Sequence, residues 1–550
     1  MAQAPVEPLD PVLVASLREA RAHPHDPSAA AGVTWIQTHI SHVFLSAERV
    51  TKIRKAVALS FLSFATRAER NADCLREVRL NRRLAPDVYL GVAPVVRADG
   101  GYVVEASREA LAEGEDPPEH AVVMRRLPEG GDALSLLRAG RLGPAQLAAL
   151  ASLLAPFHAA HGLGRPAPFT PQAWRARVEA PMAENLRALA AAGLPPEDAA
   201  QRDALEARWA ARAAELAPRH EVRRAEGRAV DGHGDLHLQH VWFEAGREAP
   251  LLIDCLEFDD TLRRIDAASE VAFLAMDLTY RGRPDLADGF LGRYAEEADD
   301  FGLYEVVDAY ASYRAAVRAK VAALAAADPG IEAGQREAAA RSASDHLALA
   351  VAALEPRAPG TLVLLCGSVG SGKSSVARAL AEDAGAAVVS SDRTRKRLAG
   401  LAPEARGGAP PGRGLYAPER VARVYAALRA RARAALGSGR AVILDASFAR
   451  RTERDAAHAL ARELGAAAWL VEVRCAPEVA RERLARRARA GRDPSDAGPE
   501  FLDTSRAAFE PPEEWPAARS LAVATDEPGW RAALEPLVRV LRLARAPRGR

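Results

Sequence analysis

The chain has 550 residues, of which 49% are hydrophobic and 27% charged, a composition typical of folded, water-soluble proteins of about two to four domains. It lacks a run of about 18 apolar residues, so we expect no membrane span. The four scattered cysteines have no CxxC spacing, which argues against a disulfide framework and against a zinc site of cysteines alone. This cysteine usage predicts a reducing, cytoplasmic location.

The net charge of +1 conceals an asymmetry between two parts of the chain. Residues 361–550 contain 33 Lys and Arg against 22 Asp and Glu, whereas residues 1–360 contain 41 against 51. Opposite charges on two parts of one chain predict two units with different ligands. The acidic first part suits a cationic or neutral acceptor, and the basic second part suits an anionic one.

In the first part of the chain, the sequence predicts an arm, a domain of strands and helices, and a linker. Residues 1–30 are rich in Pro and Ala with little periodicity, which predicts a loosely ordered arm. From residue 31, short β-branched and aromatic runs predict strands around one helix, and helical patterns then dominate up to residue 354. The Pro- and Gly-containing stretch 355–360 predicts a linker, so the first domain covers 31–354.

The second domain, residues 361–550, alternates strictly between apolar strands and helices. The runs TLVLLC, AAVVSSD, AVILDASF, AAWLVEVRC and SLAVATD predict strands, and helical patterns separate them. Alternation at this spacing indicates right-handed βαβ units and a parallel sheet covered on both faces. We therefore predict a doubly wound α/β fold for this domain.

A phosphate-binding motif follows the first of these strands. Gly367-Ser-Val-Gly-Ser-Gly-Lys-Ser374 fits G-x-x-x-x-G-K-[ST] and lies between a strand and a helix, the context that the motif requires. Its backbone amides and the helix N-terminus favour bound phosphate, Lys373 would bridge the β- and γ-phosphates of ATP, and Ser374 would bind Mg²⁺. The predicted nucleotide-binding residues are Gly367, Ser368, Gly370, Ser371, Gly372, Lys373, Ser374 and Ser375.

Charged residues at later strand ends complete this predicted site. Asp392 ends the second strand and could orient an acceptor hydroxyl and take its proton, with the arginines beside it binding an anionic group; the alternative is an N-cap of a basic helix. Asp445 ends the strand AVILD, where a carboxylate can hold the Mg²⁺ water shell. One or two arginines of a later helix would close over the phosphates, with Arg487 as the candidate. The arginines of that segment are Arg481, Arg483, Arg486, Arg487, Arg489 and Arg492.

Residues 361–500 resemble the P-loop kinases that include gluconate kinases, zeta-toxin-like kinases and 5′-hydroxyl polynucleotide kinases. The segments GSVGSGKSS, SSDRTRKRL, VILDASF and RERLARRARAGRDPSDA carry the resemblance. It implies transfer of the γ-phosphoryl group of ATP to a hydroxyl, with Asp392 as the base. The acceptors of this group range from sugars to nucleic-acid ends.

A second constellation lies in the first domain. In the segment HGDLHLQH, Asp235 stands on a predicted loop and His240 follows five residues later, while Asp254 ends the strand LLID. A loop Asp, a metal ligand five residues on and a second Asp on the next strand form the catalytic arrangement of kinases. Asp235 would accept the hydroxyl proton, and Asp254 and His240 would bind Mg²⁺.

This HGDLH…LID pattern resembles the aminoglycoside phosphotransferase and choline kinase family, over about residues 34–325. The resemblance implies a bilobal protein-kinase-like fold, with Lys52 as the nucleotide-pairing lysine, Glu77 as its partner and Met124 in the hinge strand beside the adenine. Lys55 is an alternative to Lys52. The family has Asn where this chain has His240, and no Gly-rich loop precedes Lys52.

Two further acidic residues lie near Asp254 in the sequence. Glu257 and Asp259 follow it closely and could supplement the metal site. The sequence favours an acidic surface turn for both.

The order of the two domains resembles bacterial tandem proteins that join an aminoglycoside phosphotransferase-like domain to a P-loop ATP-binding domain. We therefore predict an ATP- and Mg²⁺-dependent phosphotransferase with two nucleotide-binding domains, acting on a hydroxyl of a small molecule. Two alternatives stay open. The second domain could phosphorylate 5′-hydroxyl ends of nucleic acids, although the 5% aromatic content provides few stacking platforms. It could instead be a nucleotide switch, with the first domain as an inert sensor.

Overall fold

The structure is a computed structural model. The residues that it describes are 6–59, 62–109, 118–405, 412–490 and 495–545. None of the helices in these ranges is long and apolar enough to cross a bilayer.

The chain forms two compact units. Unit 1 comprises residues 1–142 and 231–265, and unit 2 comprises residues 143–230 and 266–550. The stretch 355–360 contains neither helix nor strand and lies within unit 2.

Strands and helices are numbered separately in chain order. The strands are β1 Thr34–Gln37, β2 Ser41–Leu45, β3 Arg49–Arg54, β4 Ala58–Leu59, β5 Leu62–Ser63, β6 Tyr89–Ala98, β7 Gly101–Val104, β8 Glu119–Arg125, β9 Ala229–Asp231, β10 Val241–Trp242, β11 Leu251–Leu252, β12 Arg264–Asp266, β13 Thr361–Cys366, β14 Ala387–Ser390, β15 Val442–Asp445, β16 Ala467–Arg474 and β17 Ser520–Ala524. The helices are α1 Pro11–Ser16, α2 Arg67–Asn81, α3 Ala133–Arg138, α4 Pro144–Ala160, α5 Pro171–Ala191, α6 Pro196–Ala225, α7 Asp260–Arg263, α8 Ala267–Tyr280, α9 Pro284–Ala298, α10 Val307–Ala327, α11 Ala333–Ala353, α12 Lys373–Ala384, α13 Ser391–Leu398, α14 Pro418–Gly437, α15 Arg451–Leu464, α16 Pro477–Ala490, α17 Leu502–Ala507 and α18 Glu535–Arg545.

Unit 1 is built on an antiparallel sheet with the order β1-β2-β3-β8-β6-β7. Helix α2 packs against β8 and β6. It begins at a capping box, in which the Thr66 hydroxyl accepts from the Glu69 amide and the Glu69 carboxylate accepts from the Thr66 amide. This start fixes the register that places Glu77 on the buried side of the helix.

The N-terminal segment differs from the predicted loose arm. Leu13 and Leu17 are buried and pack against Phe44 and Val95 of the sheet. The Asp10 carboxylate caps α1 by accepting from the Val12 amide at 2.9 Å. The prediction of an arm was wrong for the described part of this segment, because a short helix and the residue after it supply two apolar side chains that pack on a sheet face distant in sequence.

Unit 2 contains the predicted doubly wound parallel sheet, with the strand order β14-β15-β13-β16-β17. Helices α12 and α18 share one hydrophobic cluster with the sheet, while α14 and α15 contact β13 and each other. The register aligns Leu365 of β13 and Ser390 of β14 with Asp445 of β15. The loops that follow these three strands therefore meet at one sheet edge.

Helix α9 packs directly on this sheet within unit 2. A Cβ atom at Gly292 would lie 3.0 Å from Cα of Ala387, so glycine permits this close approach to β14. The guanidinium of Arg440 lies nearby and binds the carboxylates of Asp288 at 2.8 Å and Asp308 at 2.7 Å. Backbone proximity and these buried ion pairs fix α9 against the P-loop fold.

Candidate functional site

The segment Gly367–Ser374 forms a tight loop at the start of α12. Gly367 and Gly372 have φ angles of +143° and +94°, which L side chains rarely adopt. A Cβ atom at Gly367 would lie 2.3 Å from the Val473 carbonyl oxygen, and one at Gly372 would lie 2.8 Å from Oγ1 of Thr525. The loop therefore requires glycine at both positions, and it leads directly into the N-terminus of α12, where backbone amides favour an anion.

The side chain of Lys373 folds over this loop. Its ammonium donates to the carbonyl oxygens of Gly367 at 3.1 Å and Ser368 at 2.8 Å. Burial lowers the pKa of Lys373, although the charges of Asp445 and Asp392 act in the opposite direction. The ammonium is thus held between the loop and the two carboxylates predicted to act with it.

The serines of the loop divide into buried and exposed ones. Ser371 is fully buried, and its Oγ has no hydrogen-bond partner among the described residues. Ser374 and Ser375 are exposed in the first turn of α12, and the Ser374 hydroxyl is hydrogen-bonded to the Asp445 carboxylate. Burial raises the pKa of Asp445 to about 6, although this hydrogen bond and Lys373 oppose the rise. Two hard oxygen donors, the kind that Mg²⁺ prefers, lie side by side.

Asp392 lies in the first turn of α13, where Ser390 provides the N-cap. Its carboxylate binds the Arg395 guanidinium and accepts a side-chain hydrogen bond from Ser495. Burial acts to raise the pKa of Asp392, but the charge and hydrogen bond of Arg395 outweigh it and lower the pKa. The guanidinium of Arg395 in turn stacks over the Tyr416 ring at 4.6 Å. Asp392 is therefore an ionised carboxylate at the sheet edge, and capping the helix is the role of Ser390.

The other cations of α13 are engaged with protein groups. Arg393 binds the Glu297 carboxylate at 2.5 Å, and Lys396 binds Asp496 at 2.9 Å. Arg397 donates to the Glu297 carbonyl oxygen. The expectation that arginines beside Asp392 bind an anionic group of the acceptor was wrong, because these side chains hold α13 in place.

The arginines predicted as a lid lie on and after α16. Arg483 donates to Oγ1 of Thr525 at 2.8 Å and to the Thr525 carbonyl oxygen at 2.9 Å, beside the P-loop glycine Gly372. Arg487 lies close enough to Lys373 for its charge to lower the pKa of that ammonium. Arg492 lies outside the described residues. Arg483 thus supports the loop through Thr525, whereas Arg487 acts on the Lys373 ammonium through its charge.

A pocket of about 540 Å³ opens beside Ser374, Asp392 and Asp445. Residues of α4 and α9, including Leu147 and Phe290, form its other wall. This volume lies within the usual range for small-molecule sites. Sequence reasoning did not find this wall, because its residues belong to helices that precede the P-loop domain and carry no motif.

In unit 1, Lys52 of β3 joins the two carboxylates that the sequence predicted. Its Nζ atom lies 3.1 Å from Oε1 of Glu77 and 3.5 Å from Oδ1 of Asp254. Burial acts to lower the pKa of Lys52, but the charges of Glu77 and Asp254 outweigh it and raise the pKa. The ammonium of Lys55 instead donates to the Thr38 carbonyl oxygen at 2.7 Å, in the turn between β1 and β2. Of the two lysines, Lys52 is the one in the kinase-like arrangement.

Behind Lys52 lies a buried ionic cluster that the sequence did not reveal. The fully buried Arg54 guanidinium binds Asp73 at 2.6 Å, Glu77 at 2.7 Å and Glu257. Burial raises the pKa of Glu257 to about 8, although the Arg54 charge opposes the rise. The prediction of a surface turn was wrong for Glu257, because its partner lies about 200 residues earlier.

Two histidines order the loop that carries Asp235. The Nε2–H of His233 donates to the Ile253 carbonyl oxygen at 2.9 Å, and Nδ1 accepts from the Asp235 amide at 3.3 Å. Nδ1 of His237 accepts from the Gln239 amide, which leaves Nε2–H to donate to the Asp235 carboxylate. Burial acts to raise the pKa of Asp235, but the hydrogen bond from His237 and the other neighbouring histidines outweigh it and lower the pKa.

His240 lies between the two aspartates. Its Nδ1 is 2.9 Å from the Asp235 carbonyl oxygen, which can only accept, so Nδ1 carries the proton. Burial lowers the pKa of His240, with a further contribution from His237, and the neutral ring presents the lone pair of Nε2 to Oδ2 of Asp254 at 3.4 Å. Ligand atoms of Asp235, His237 and His240 also lie within 4.8 Å of one another. A divalent cation fits between such facing electron-pair donors.

Met124 is the remaining predicted residue of unit 1. It is buried on β8, where the register pairs it with Val50 and Tyr89. The Tyr89 hydroxyl accepts from the Asp254 amide at 3.1 Å. Asp254 itself has a φ angle of +61°, a conformation that is costly for a non-glycine residue and recurs at functional sites.

Comparison with known proteins identifies both halves of the chain. Residues 60–315 match the sequence model of the phosphotransferase enzyme family, and residues 362–512 match that of an AAA domain. A protein of Mycobacterium tuberculosis strain H37Rv, described as uncharacterized, is 35% identical over 447 residues, which are 80% of this chain and 83% of that protein. This chain belongs to the same tandem family. A protein of Mycobacterium bovis, also described as uncharacterized, matches over the same shares with the same identity.

This chain thus combines two kinase-type domains, a phosphotransferase domain and a P-loop domain. Two solved structures show weaker likenesses. A gluconokinase from Sinorhizobium meliloti is 24% identical and covers 34% of this chain and 99% of its own, with a TM-score of 0.25. A glucosamine kinase in complex with glucosamine, ADP and inorganic phosphate is 18% identical and covers 59% and 79%, with a TM-score of 0.34.

Proposed function

We propose that this protein transfers the γ-phosphoryl group of ATP to a hydroxyl of a small molecule, and that the P-loop site of unit 2 performs the transfer. The convergence of Lys373, Ser374, Asp445 and Asp392 on one sheet edge carries the proposal. Phosphoryl transfer depends mainly on positioning and charge neutralisation, and these four side chains supply both.

The residues of this site fit magnesium-bound ATP. The glycine cradle provides backbone amides for phosphate oxygens, and the hydroxyl of Ser374 beside the Asp445 carboxylate provides hard oxygen ligands for Mg²⁺. Bound Mg²⁺ would neutralise charge on the phosphates. Lys373 and Arg487 would add positive charge from the other side of the loop.

Asp392 would position the acceptor and receive its proton. The acceptor oxygen forms a bond to the γ-phosphorus while the bond from that phosphorus to the bridging oxygen of ADP breaks, and the hydroxyl proton passes to Asp392. The pairing with Arg395 lowers the pKa of Asp392 and makes it a weak base. A weak base suffices, because in a loose transition state the acceptor hydroxyl loses its proton only late in the transfer.

We infer a second nucleotide site in unit 1. Lys52, held by Glu77 and Asp254, would contact the phosphates, and Asp235 would face the acceptor hydroxyl. His240 and Asp254 would hold the cation. The ordered loop and the intact Lys52–Glu77 pair favour a site that binds nucleotide over an inert sensor.

The proposed function is tested by acceptor-dependent ADP release from magnesium-bound ATP. The panel contains sugars, polyols, aminoglycosides, choline, nucleosides and 5′-hydroxyl oligonucleotides. We expect turnover with a small molecule, and we expect Lys373→Ala to abolish this turnover. The control is Lys320→Ala, which changes a lysine paired with Glu184 on the helical part of unit 2 and should leave the turnover unchanged. Turnover of oligonucleotides alone, with a steep salt dependence of binding, would favour a nucleic-acid kinase instead. ATP binding without turnover of any acceptor would favour a nucleotide switch.

Calorimetry with ATP and Mg²⁺ tests the second site separately. We expect two nucleotides bound per chain, and one after either Lys52→Ala or Lys373→Ala. A stoichiometry of one that Lys52→Ala does not change would contradict a nucleotide site in unit 1.

A further inference from the structure

The pocket beside Asp392 is built from two parts of unit 2 that are distant in sequence. One wall carries Ser374, Asp392 and Asp445, the residues assigned above to phosphoryl transfer. The other wall belongs to α4 and α9, outside the P-loop fold, and includes Phe290 and Glu296. A pocket of about 540 Å³ that contains both the proposed base and the magnesium ligands is of the right size for a small acceptor.

Helix α9 is bound to the helix that carries the proposed base. Arg393, the neighbour of Asp392 on α13, binds the Glu297 carboxylate at 2.5 Å and lies 3.8 Å from that of Glu296. Arg293 also binds Glu296, at 3.0 Å. The ion pairs of Arg393 join α9 to α13.

Two further arginines hold the same wall in place. Arg440 binds Asp288 of α9 and Asp308 of α10, and Arg431 of α14 binds Asp299 at the end of α9 at 2.9 Å. Arg440 is 7% exposed, so its pairs are protected from solvent screening. The wall is therefore a fixed part of the pocket.

Among the residues that the structure describes, carboxylates outnumber arginines in the pocket lining, although the P-loop domain as a whole is basic. Three arginines of the described ranges line the pocket, and two of them, Arg293 and Arg393, are paired with glutamates of α9. The described carboxylates that line it are Asp285, Glu296, Glu382, Asp392, Glu404 and Asp445. Three of them are paired with arginines outside the lining, Asp285 with Arg283, Glu382 with Arg531 and Asp392 with Arg395. A negatively charged acceptor would be repelled here, whereas hydroxyl and ammonium groups would find acceptors for their protons.

We propose that this pocket is the acceptor site of the P-loop kinase, that α4 and α9 complete it, and that it takes a polyhydroxylated small molecule without negative charge. The inference rests on the proposed kinase activity of unit 2. It assigns Glu296 and Ala148, which lie outside the P-loop fold, to acceptor recognition. It differs from the expectation, drawn from net charge alone, that this domain suits an anionic acceptor.

The test uses the full chain and two sets of acceptors, each with one carbon skeleton and with a neutral, an ammonium-bearing and a carboxylate-bearing member. The linear set is sorbitol, glucamine and gluconate, and the ring set is glucose, glucosamine and glucuronate. With saturating ATP and Mg²⁺, we expect turnover of a neutral or ammonium-bearing member and a KM at least about tenfold higher for the carboxylate of the same set.

Two variants probe the helical wall. Glu296→Gln is expected to raise the KM of the ammonium-bearing acceptor about tenfold, and Ala148→Leu, which fills the pocket, to raise the KM of every acceptor. The KM of ATP should stay unchanged in both. The matched controls are Glu463→Gln, an exposed glutamate on α15, and Ala149→Leu, a neighbour that does not line the pocket; both should behave as the wild type.

The outcomes separate the two claims. Preferred turnover of a carboxylate, or unchanged acceptor KM values in both wall variants, would overturn this inference and leave the kinase activity of unit 2 standing. Turnover that survives Lys373→Ala, or no turnover of any compound by a chain that binds ATP, would overturn the proposed function and the inference with it.

Discussion

The Nε2 atom of His240 faces Oδ2 of Asp254 at 3.4 Å. Because Nδ1 of the same ring donates to the Asp235 carbonyl oxygen, both facing atoms carry lone pairs. The kinases that unit 1 resembles have an amide oxygen where His240 stands. An imidazole nitrogen suits borderline metals such as Mn²⁺ better than Mg²⁺, which prefers oxygen ligands.

The first prediction therefore concerns metal choice in unit 1. In a Lys373→Ala background, which silences the P-loop site, ATP should bind unit 1 at least about tenfold more tightly with Mn²⁺ than with Mg²⁺. His240→Asn should reduce this ratio, whereas His458→Asn, a histidine on α15 of unit 2, should not. Titration calorimetry with each metal measures the effect. Equal affinities with both metals in the parent chain would argue against His240 as a ligand.

The second prediction concerns the P-loop backbone. Gly372→Ala places a Cβ atom 2.8 Å from Oγ1 of Thr525 at a φ angle of +94°, so it should cost about 1–3 kcal/mol of folding stability and abolish ATP binding at this site. Gly437→Ala is the matched control, because its Cβ atom would meet no atom within 4 Å. Thermal melts and nucleotide titrations compare the two variants. A Gly372→Ala chain that binds ATP as the wild type does would show that the loop tolerates a side chain.

The third prediction concerns pH and Glu257. Burial raises the pKa of this carboxyl to about 8, so the folded state holds its proton more tightly than the unfolded state does. The resulting stability is fully present below the ordinary pKa of a glutamate and is lost as the pH rises through about 8. The melting temperature of the wild type should therefore fall between pH 6 and pH 9, and by less in Glu257→Gln.

Glu463→Gln removes an exposed glutamate and serves as its control. That variant should retain the full pH dependence of the wild type. An equal fall in melting temperature for Glu257→Gln and the wild type would show that Glu257 does not titrate in this range.

Much of the nucleotide chemistry could be predicted from local sequence. The structure places Asp445 at the end of β15 and Lys52 beside Glu77. Both positions could be inferred from short range, because each depends on a motif at a strand end or on a helix register, and the roles of these residues stay predictions. Strict strand and helix alternation likewise predicted the parallel sheet of unit 2, which the structure confirms.

The features that the sequence did not reveal depend on contacts between distant segments. The local sequence favoured a surface turn for Glu257, whereas in the structure Arg54 binds this carboxylate. Net charge favoured an anionic acceptor for the second domain, whereas its pocket is lined by carboxylates, because α9 supplies one wall and the arginines of α13 are paired. Neither a motif nor a composition encodes which helix face packs on which strand.

The most direct test of the central claim is the transfer of label from [γ-³²P]ATP to a small acceptor by three chains: the wild type, Lys373→Ala and Asp235→Asn. We predict labelled acceptor with the wild type and with Asp235→Asn, and none with Lys373→Ala, because the P-loop site of unit 2 performs the transfer. Labelled acceptor formed by Lys373→Ala and lost only in Asp235→Asn would contradict this claim and place the working kinase in unit 1.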